Sequence, residues 1–120
     1  MNTRSEFHIG DILTVLHGFM VCPGGMHAVQ AFAEFMAGEE VWTHQMTRVH
    51  REAAEPLRQQ FPDLAAVKIP LGLNTEQAVL EWLTSLEPQF GVTRMVAPLS
   101  PDQHEQRDPI LELFEMLSDR

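Results

Sequence analysis

The stretch Pro23-Gly24-Gly25-Met26-His27-Ala28-Val29-Gln30-Ala31-Phe32-Ala33-Glu34-Phe35-Met36-Ala37-Gly38 decides the fold class. Val29, Phe32, Ala33 and Met36 recur at the three-and-four spacing of one helix face, and His27, Gln30 and Glu34 fall on the opposite stripe. Pro23-Gly24-Gly25 punctuates the entry and Gly38 supplies a left-handed stop. The pattern predicts a helix over 26–37. A chain organised around such a segment builds its core from helix faces.

Upstream, the Phe19–Cys22 run reads as a short extended piece entering the turn. Before it, Ile12–His17 reads as a short helix, capped by Asp11 and stopped at Gly18. Residues 1–6 are polar and are expected to be loose. Downstream, Val41 and Trp42 are expected to reach the core. Thr43 is placed to cap a helix over 44–61, with Pro56 predicting a kink or break because proline lacks a backbone donor. Phe61-Pro62-Asp63 ends it. Val67, Ile69 and Leu71 alternate with Lys68, Pro70 and Gly72, the pattern of a short edge strand or irregular loop.

Asn74 is placed to cap the next helix, with Gln77 as its reciprocal partner. Val79, Leu83, Leu86 and Phe90 line one face, flanked by Leu80 and Trp82, until Gly91. Residues 92–99 read as a second short strand and 100–107 as polar loop. Asp108-Pro109 is a helix start, a cap followed by proline at the first position. Ile110, Leu113, Phe114 and Leu117 form the apolar face of that last helix. The expectation is a mainly α fold, a single compact domain over 1–120. It has about five helices and at most a small two-stranded β element.

Composition narrows the function classes. The 120 residues carry 17 Asp and Glu against 8 Lys and Arg, a net charge of −9. Nucleic-acid binding needs a basic face, so nucleic acid is disfavoured as a direct ligand. Such a charge suits solubility or a basic partner. Cys22 is the single cysteine, which fits a reducing cytoplasm. The first ten residues lack a signal peptide's apolar run, and no window reaches the ~20 apolar residues of a membrane span.

No catalytic signature emerges. The histidines at 8, 17, 27, 44, 50 and 104 contain no HxxxH pair, and no metal or cofactor is expected. Cys22 precedes a helix start, which could activate it, but its apolar surroundings favour a buried inert thiol. Pro23-Gly24-Gly25-Met26 lacks the Lys and Ser/Thr of a phosphate loop, so its glycines are read as turn residues. A possible polar site is His44, Gln45, Arg48 and Arg51, together with Glu40 and Glu55. Glu40–His44, His44–Arg48 and Arg51–Glu55 have i,i+4 spacing. A solvated salt-bridged face is the plainer account, and a small-anion or interaction site the functional one. On the last helix Asp108, Glu112, Glu115 and Asp119 form an acidic stripe opposite the apolar face, a candidate docking surface for a basic partner.

Three segments resemble a family of small uncharacterised proteins encoded by bacteriophages and prophages. They are FHIGDILTVLHG at 7–18, PGGMHAVQAFAEFMAGEEVWTHQMTR at 23–48, and the VAPL…RDPILELFEML pattern within 96–117. Within the second, Met36, Gly38 and Thr43-His44-Gln45 carry most of the likeness. The family has no assigned activity, so the resemblance implies a setting in a host bacterial cytoplasm and no residue roles. The function expected is a phage- or mobile-element-encoded modulator that binds a host or defence component with a basic surface, an anti-defence inhibitor without catalysis. The alternative is a small enzyme or ligand-binding domain around His44 and Arg48. A homo-oligomer burying Phe19, Trp42, Trp82 and Phe90 is a further reading.

Overall fold

Glycine stops three of the helices, and apolar periodicity decides what each one buries. The computed structural model describes residues 3–118. Strand β1 (Ser5–His8) leads directly into α1 (Ile9–His17). Then come α2 (Gly25–Ala37), a 3-10 turn at Thr43–Gln45, α3 (Met46–Gln60) and the one-turn α4 (Pro62–Ala65). Helix α5 (Glu76–Phe90), strand β2 (Thr93–Val96) and α6 (Pro109–Ser118) complete the order. The mainly α class and the small two-stranded element are as expected from the sequence, with α4 the added helix.

The sheet is antiparallel, with Ser5 opposite Val96 and His8 opposite Thr93. Ser5 and Glu6 are therefore ordered by pairing, not loose. One residue of β1 faces α2: the Phe7 ring meets Phe32 edge-on and Phe35 at a tilt, both at 4.8 Å between centroids.

Helix α1 is the centre of the core. Ile9, Ile12 and Leu13 are fully buried, and α1 packs against α2, α3 and α4. Its cap is the His8 side chain, whose Nδ1 accepts the Gly10 N–H at 2.8 Å. Asp11, the cap read from the sequence, lies inside the first turn and is buried. Gly10 has a steric reason: a Cβ there would lie 2.6 Å from the Val21 carbonyl oxygen and 2.8 Å from the Pro23 ring. Its absence lets α1 lie against the chain that enters α2. Thr14 holds the same approach, its Oγ1 accepting the Val21 N–H at 3.1 Å and donating to the Gly10 carbonyl.

Helix α2 forms as the spacing predicts, burying Val29, Phe32, Ala33 and Met36 and ending at Gly38 with φ 73°. Two residues of its polar stripe hold the connector to α3. Gln30 Nε2 donates to the Val41 carbonyl and Glu34 accepts the Val41 N–H, each at 3.1 Å. Val41 is thereby fixed in a smaller core with Cys22, Val29, Ala33, Met46 and Val49. Trp42 stays largely outside, contrary to expectation.

Two other local expectations are corrected and one is resolved. Helix α3 begins after Gln45, not at a Thr43 cap, and it runs through Pro56 to Gln60 without a break. Proline at this position deprives only the Glu52 carbonyl of its intrahelical donor. Residues 64–73, read as an edge strand or irregular loop, take the second form: α4 takes up the first of them and the rest is irregular. Thr75, not Asn74, caps α5, its hydroxyl accepting the Ala78 N–H at 3.1 Å, and Gln77 bonds to Glu81. The α5 face is as read: Leu83 is buried, and Val79, Leu86, Phe90 and Trp82 pack partly buried on the main core.

Candidate functional site

The last helix is turned opposite to its reading. Glu112 is 3% exposed, whereas Ile110, Leu111, Leu113, Phe114 and Leu117 all stand exposed, Phe114 at 62%. The helix docks by its carboxylate and shows its apolar face to the outside. Asp108 caps it as expected, Oδ1 accepting the N–H groups of Ile110 and Leu111. Glu115 is exposed and paired with Arg107. Asp119 lies outside the described residues. The predicted acidic stripe is thus divided: Glu112 inside, Asp108 at the cap, Glu115 paired.

What receives Glu112 is the predicted polar site. Arg48 Nε donates to Glu112 Oε2 at 2.7 Å and its NH2 to Oε1 at 3.1 Å, a bidentate fork. Gln45 Nε2 donates to Glu112 Oε1 at 2.9 Å and to the Arg107 carbonyl. Arg48 NH1 also donates to Glu52 and to the Glu105 carbonyl. His44 Nε2 donates to the Pro109 carbonyl at 2.8 Å. Three of the four sequence-predicted residues therefore converge, and what they converge on is residues 105–112 of the chain itself. Arg51 is the exception. It is exposed, and it lines a shallow cleft of about 210 Å³ with Arg48, Arg107, Glu112 and Glu115. The expected Arg51–Glu55 pair is replaced by Arg58–Glu55.

Electrostatics match this geometry. The Arg48 guanidinium beside it holds Glu112 below the usual carboxylate range, against the upward push of burial. Arg48 is raised in turn, chiefly by Glu112.

Sequence reasoning missed a second knot. His104 donates from Nδ1 to Glu52 Oε1 at 2.6 Å and from Nε2 to Glu39. Two donating ring nitrogens make it an imidazolium. Burial pushes His104 down, but Glu52 and Glu39 outweigh it, and the net shift is upward. Burial likewise pushes Glu52 up, and the Glu105 N–H, His104 and Arg48 bring it below the usual range. The legible part of this knot was the i,i+4 spacing of Arg48 and Glu52; the partners at 39 and 104 come from distant parts of the chain.

A histidine raised on folding stabilises the fold most at pH below its unfolded value and loses that contribution as pH rises through the native one. Replacing His104 by Asn is therefore expected to destabilise most below about pH 6.5, with the difference from wild type shrinking as pH rises from there through the raised native value. Urea unfolding across that range measures it. A difference that grows with pH contradicts a charged His104 between Glu39 and Glu52.

The other candidates for chemistry are buried or serve the fold. Cys22 Sγ donates to Asp11 Oδ1 at 2.6 Å; burial, then Asp11, pushes its thiol up to about 12, the inert state expected of it. Burial also raises Asp11. His17 donates to the Leu64 carbonyl at 3.1 Å. Burial lowers His50, whose Nε2 lacks a hydrogen-bond partner among the described residues. Among the described residues no three His, Cys, Asp or Glu side chains gather as metal ligands, and no helix is long and apolar enough to cross a membrane.

Fold and site together define a small helical domain closed by a buried, charged clamp between α3 and the C-terminal segment. A family model described as a domain of unknown function, DUF7736, matches residues 7–67, more than half of the chain. The chain belongs to this family. The match spans α1 to α4, so Gln45, Arg48 and Glu52 lie within it and His104 and Glu112 beyond it. Neither the curated proteins nor the solved structures give a match.

Proposed function

We propose that this protein acts by binding, without catalysis, as a phage- or mobile-element-encoded modulator of a host or defence protein in the bacterial cytoplasm. The observation that carries the reading is a groove between the 19–25 loop and residues 69–80. Two adjoining cavities of about 460 and 290 Å³ share Met20, Leu73, Asn74 and Val79 and so form one trough. Its edges hold unusually exposed apolar side chains, Leu71 at 100% and Phe19 at 60%. Exposed apolar surface beside a concavity is a mark of interaction sites. Glu76 is the charged residue among those lining it, and the chain as a whole is at −9. An apolar anchor with a cation beside it, on a basic partner surface, fits that combination. The family resemblance of residues 7–18 and 23–48 supports the mobile-element setting, and the single cysteine supports the cytoplasm. The alternative site around His44 and Arg48 draws less support, because their polar atoms already bond to residues 105–112.

Affinity capture from a bacterial lysate tests this. Wild type is expected to hold a partner at low salt and release it as salt shortens the Debye length from about 10 Å toward about 3 Å. Leu71→Asp with Phe19→Asp is expected to lose it with the fold intact. An empty capture at low salt, or identical capture by the variant, would sink the proposal.

A further inference from the structure

Helix α6 is amphipathic with its apolar face unpartnered. We propose that this face pairs with the same face of a second copy of the chain, the two helices antiparallel about a two-fold axis. Four features of the face point to that occupant.

First, among the described residues it carries no charge. Asp108, Glu112 and Glu115 lie on the other half of the helix, toward Arg48 and Arg107. A basic partner would find little to pair with there, whereas two neutral seams can meet without like-charge contact.

Second, the seam is symmetric about its own midpoint. Ile110, Leu113, Phe114 and Leu117 follow at steps of three, one and three. Antiparallel pairing sets Ile110 opposite Leu117 of the second copy and Leu113 opposite Phe114. An isologous contact requires this self-complementarity.

Third, the face is a convex ridge. It can lie beside its own copy as helices do in ridge-and-groove packing. The groove at Leu71 and Phe19 is concave and cannot meet itself in this way.

Fourth, the area suits a weak dimer. With large side chains burying on the order of 150–200 Å² each, the exposed portions of the seam and of Leu111 and Met116 flanking it offer roughly 500 Å². That is at the upper end for an apolar patch on a monomer and below the ~800 Å² per partner of a standard interface. Trp42 can extend it: it is exposed, its ring centroid is 6.0 Å from that of His44, and His44 bonds to Pro109 at the start of α6. Dimerisation in the micromolar range is expected.

Sedimentation velocity on the full chain, from about 1 to 200 µM, tests this at low and high salt, where the Debye length is about 10 and 3 Å. Salt screens the repulsion between two chains at −9, so the dimer is expected to strengthen as salt rises. Partner capture through the Leu71 groove is expected to weaken, which separates the two proposals. Phe114→Glu with Leu117→Glu is expected to sediment as monomer with unchanged far-UV circular dichroism. For the pairing direction, chains carrying Ile110→Cys are mixed with chains carrying Leu117→Cys and oxidised. Disulfides between unlike chains are expected, and buried Cys22 leaves little background. Monomer at every concentration, a dimer that survives Phe114→Glu and Leu117→Glu, open-ended growth, or cross-links confined to like chains each overturns the proposal.

Discussion

Replacing Glu112 by Ala is expected to destabilise the fold by about 3 kcal/mol, the lower end for breaking a buried ion pair, because Arg48 loses its most buried partner and keeps only Glu52 beside it. Arg48 would lose both bonds of its fork, and Gln45 Nε2 its carboxylate acceptor. Urea unfolding monitored by circular dichroism measures the change. The control is the double variant Arg48→Met with Glu112→Leu, which replaces both charges by apolar groups and is expected to recover most of the loss. Phe114→Ala on the same helix is expected to change stability by only about 0.5 kcal/mol, as outward side chains do. If Glu112→Ala were harmless and Phe114→Ala severe, α6 would be seated the other way round, on its apolar face.

Phe32→Ala is the second large effect, at about 3–5 kcal/mol. Phe32 is among the largest fully buried side chains, at the junction of α2, the main core and β1. Truncation opens a cavity and also removes the edge-on contact with Phe7, a geometry that adds about 0.5–1.5 kcal/mol beyond area alone. Against a total of roughly 5–15 kcal/mol, the variant retains a small margin. Phe32→Leu fills most of the space and is expected to lose less. Thermal and urea midpoints of the pair test whether packing at this position holds β1 to α2. Equal losses from Ala and Leu would place the effect in the ring contact and not in the cavity.

The two variants differ in how far the sequence foretold them. Phe32 was legible as core because its neighbours Val29, Ala33 and Met36 repeat at helical spacing, and such a face has to be buried. Glu112 was not. Its helix was read correctly from Asp108-Pro109 onward, and its two faces were separated correctly. Which face turned inward was then assigned by hydrophobicity alone. Arg48 and Gln45 reverse that assignment by offering the Glu112 carboxylate a full set of donors, with Gln45 also tied to the Arg107 carbonyl. Arg48 and Gln45 lie 64 and 67 positions from Glu112, beyond any local pattern. The polar site at His44, Gln45 and Arg48 was likewise found by spacing, while its occupant, the chain's own residues 105–112, was not.

Capping shows the same division at smaller scale. Gly18, Gly38 and Gly91 stop their helices as their backbone freedom dictates. The starts moved by a residue or more, from Asp11 to His8 and from Asn74 to Thr75, since several side chains in a row can accept the first free N–H groups. The 64–73 alternation pairs with neither β1 nor β2, and Pro70 within it can give no donor to a ladder.

The sequence by itself determined the five longer helices, their glycine stops, the burial of α2 and the acidity of the chain, since each depends on residues within a turn or two or on composition. Only the tertiary structure decided that α6 is held by its acid and bares its apolar face. That outcome depends on whether a buried carboxylate finds its cations, and those are supplied by a helix some sixty residues away.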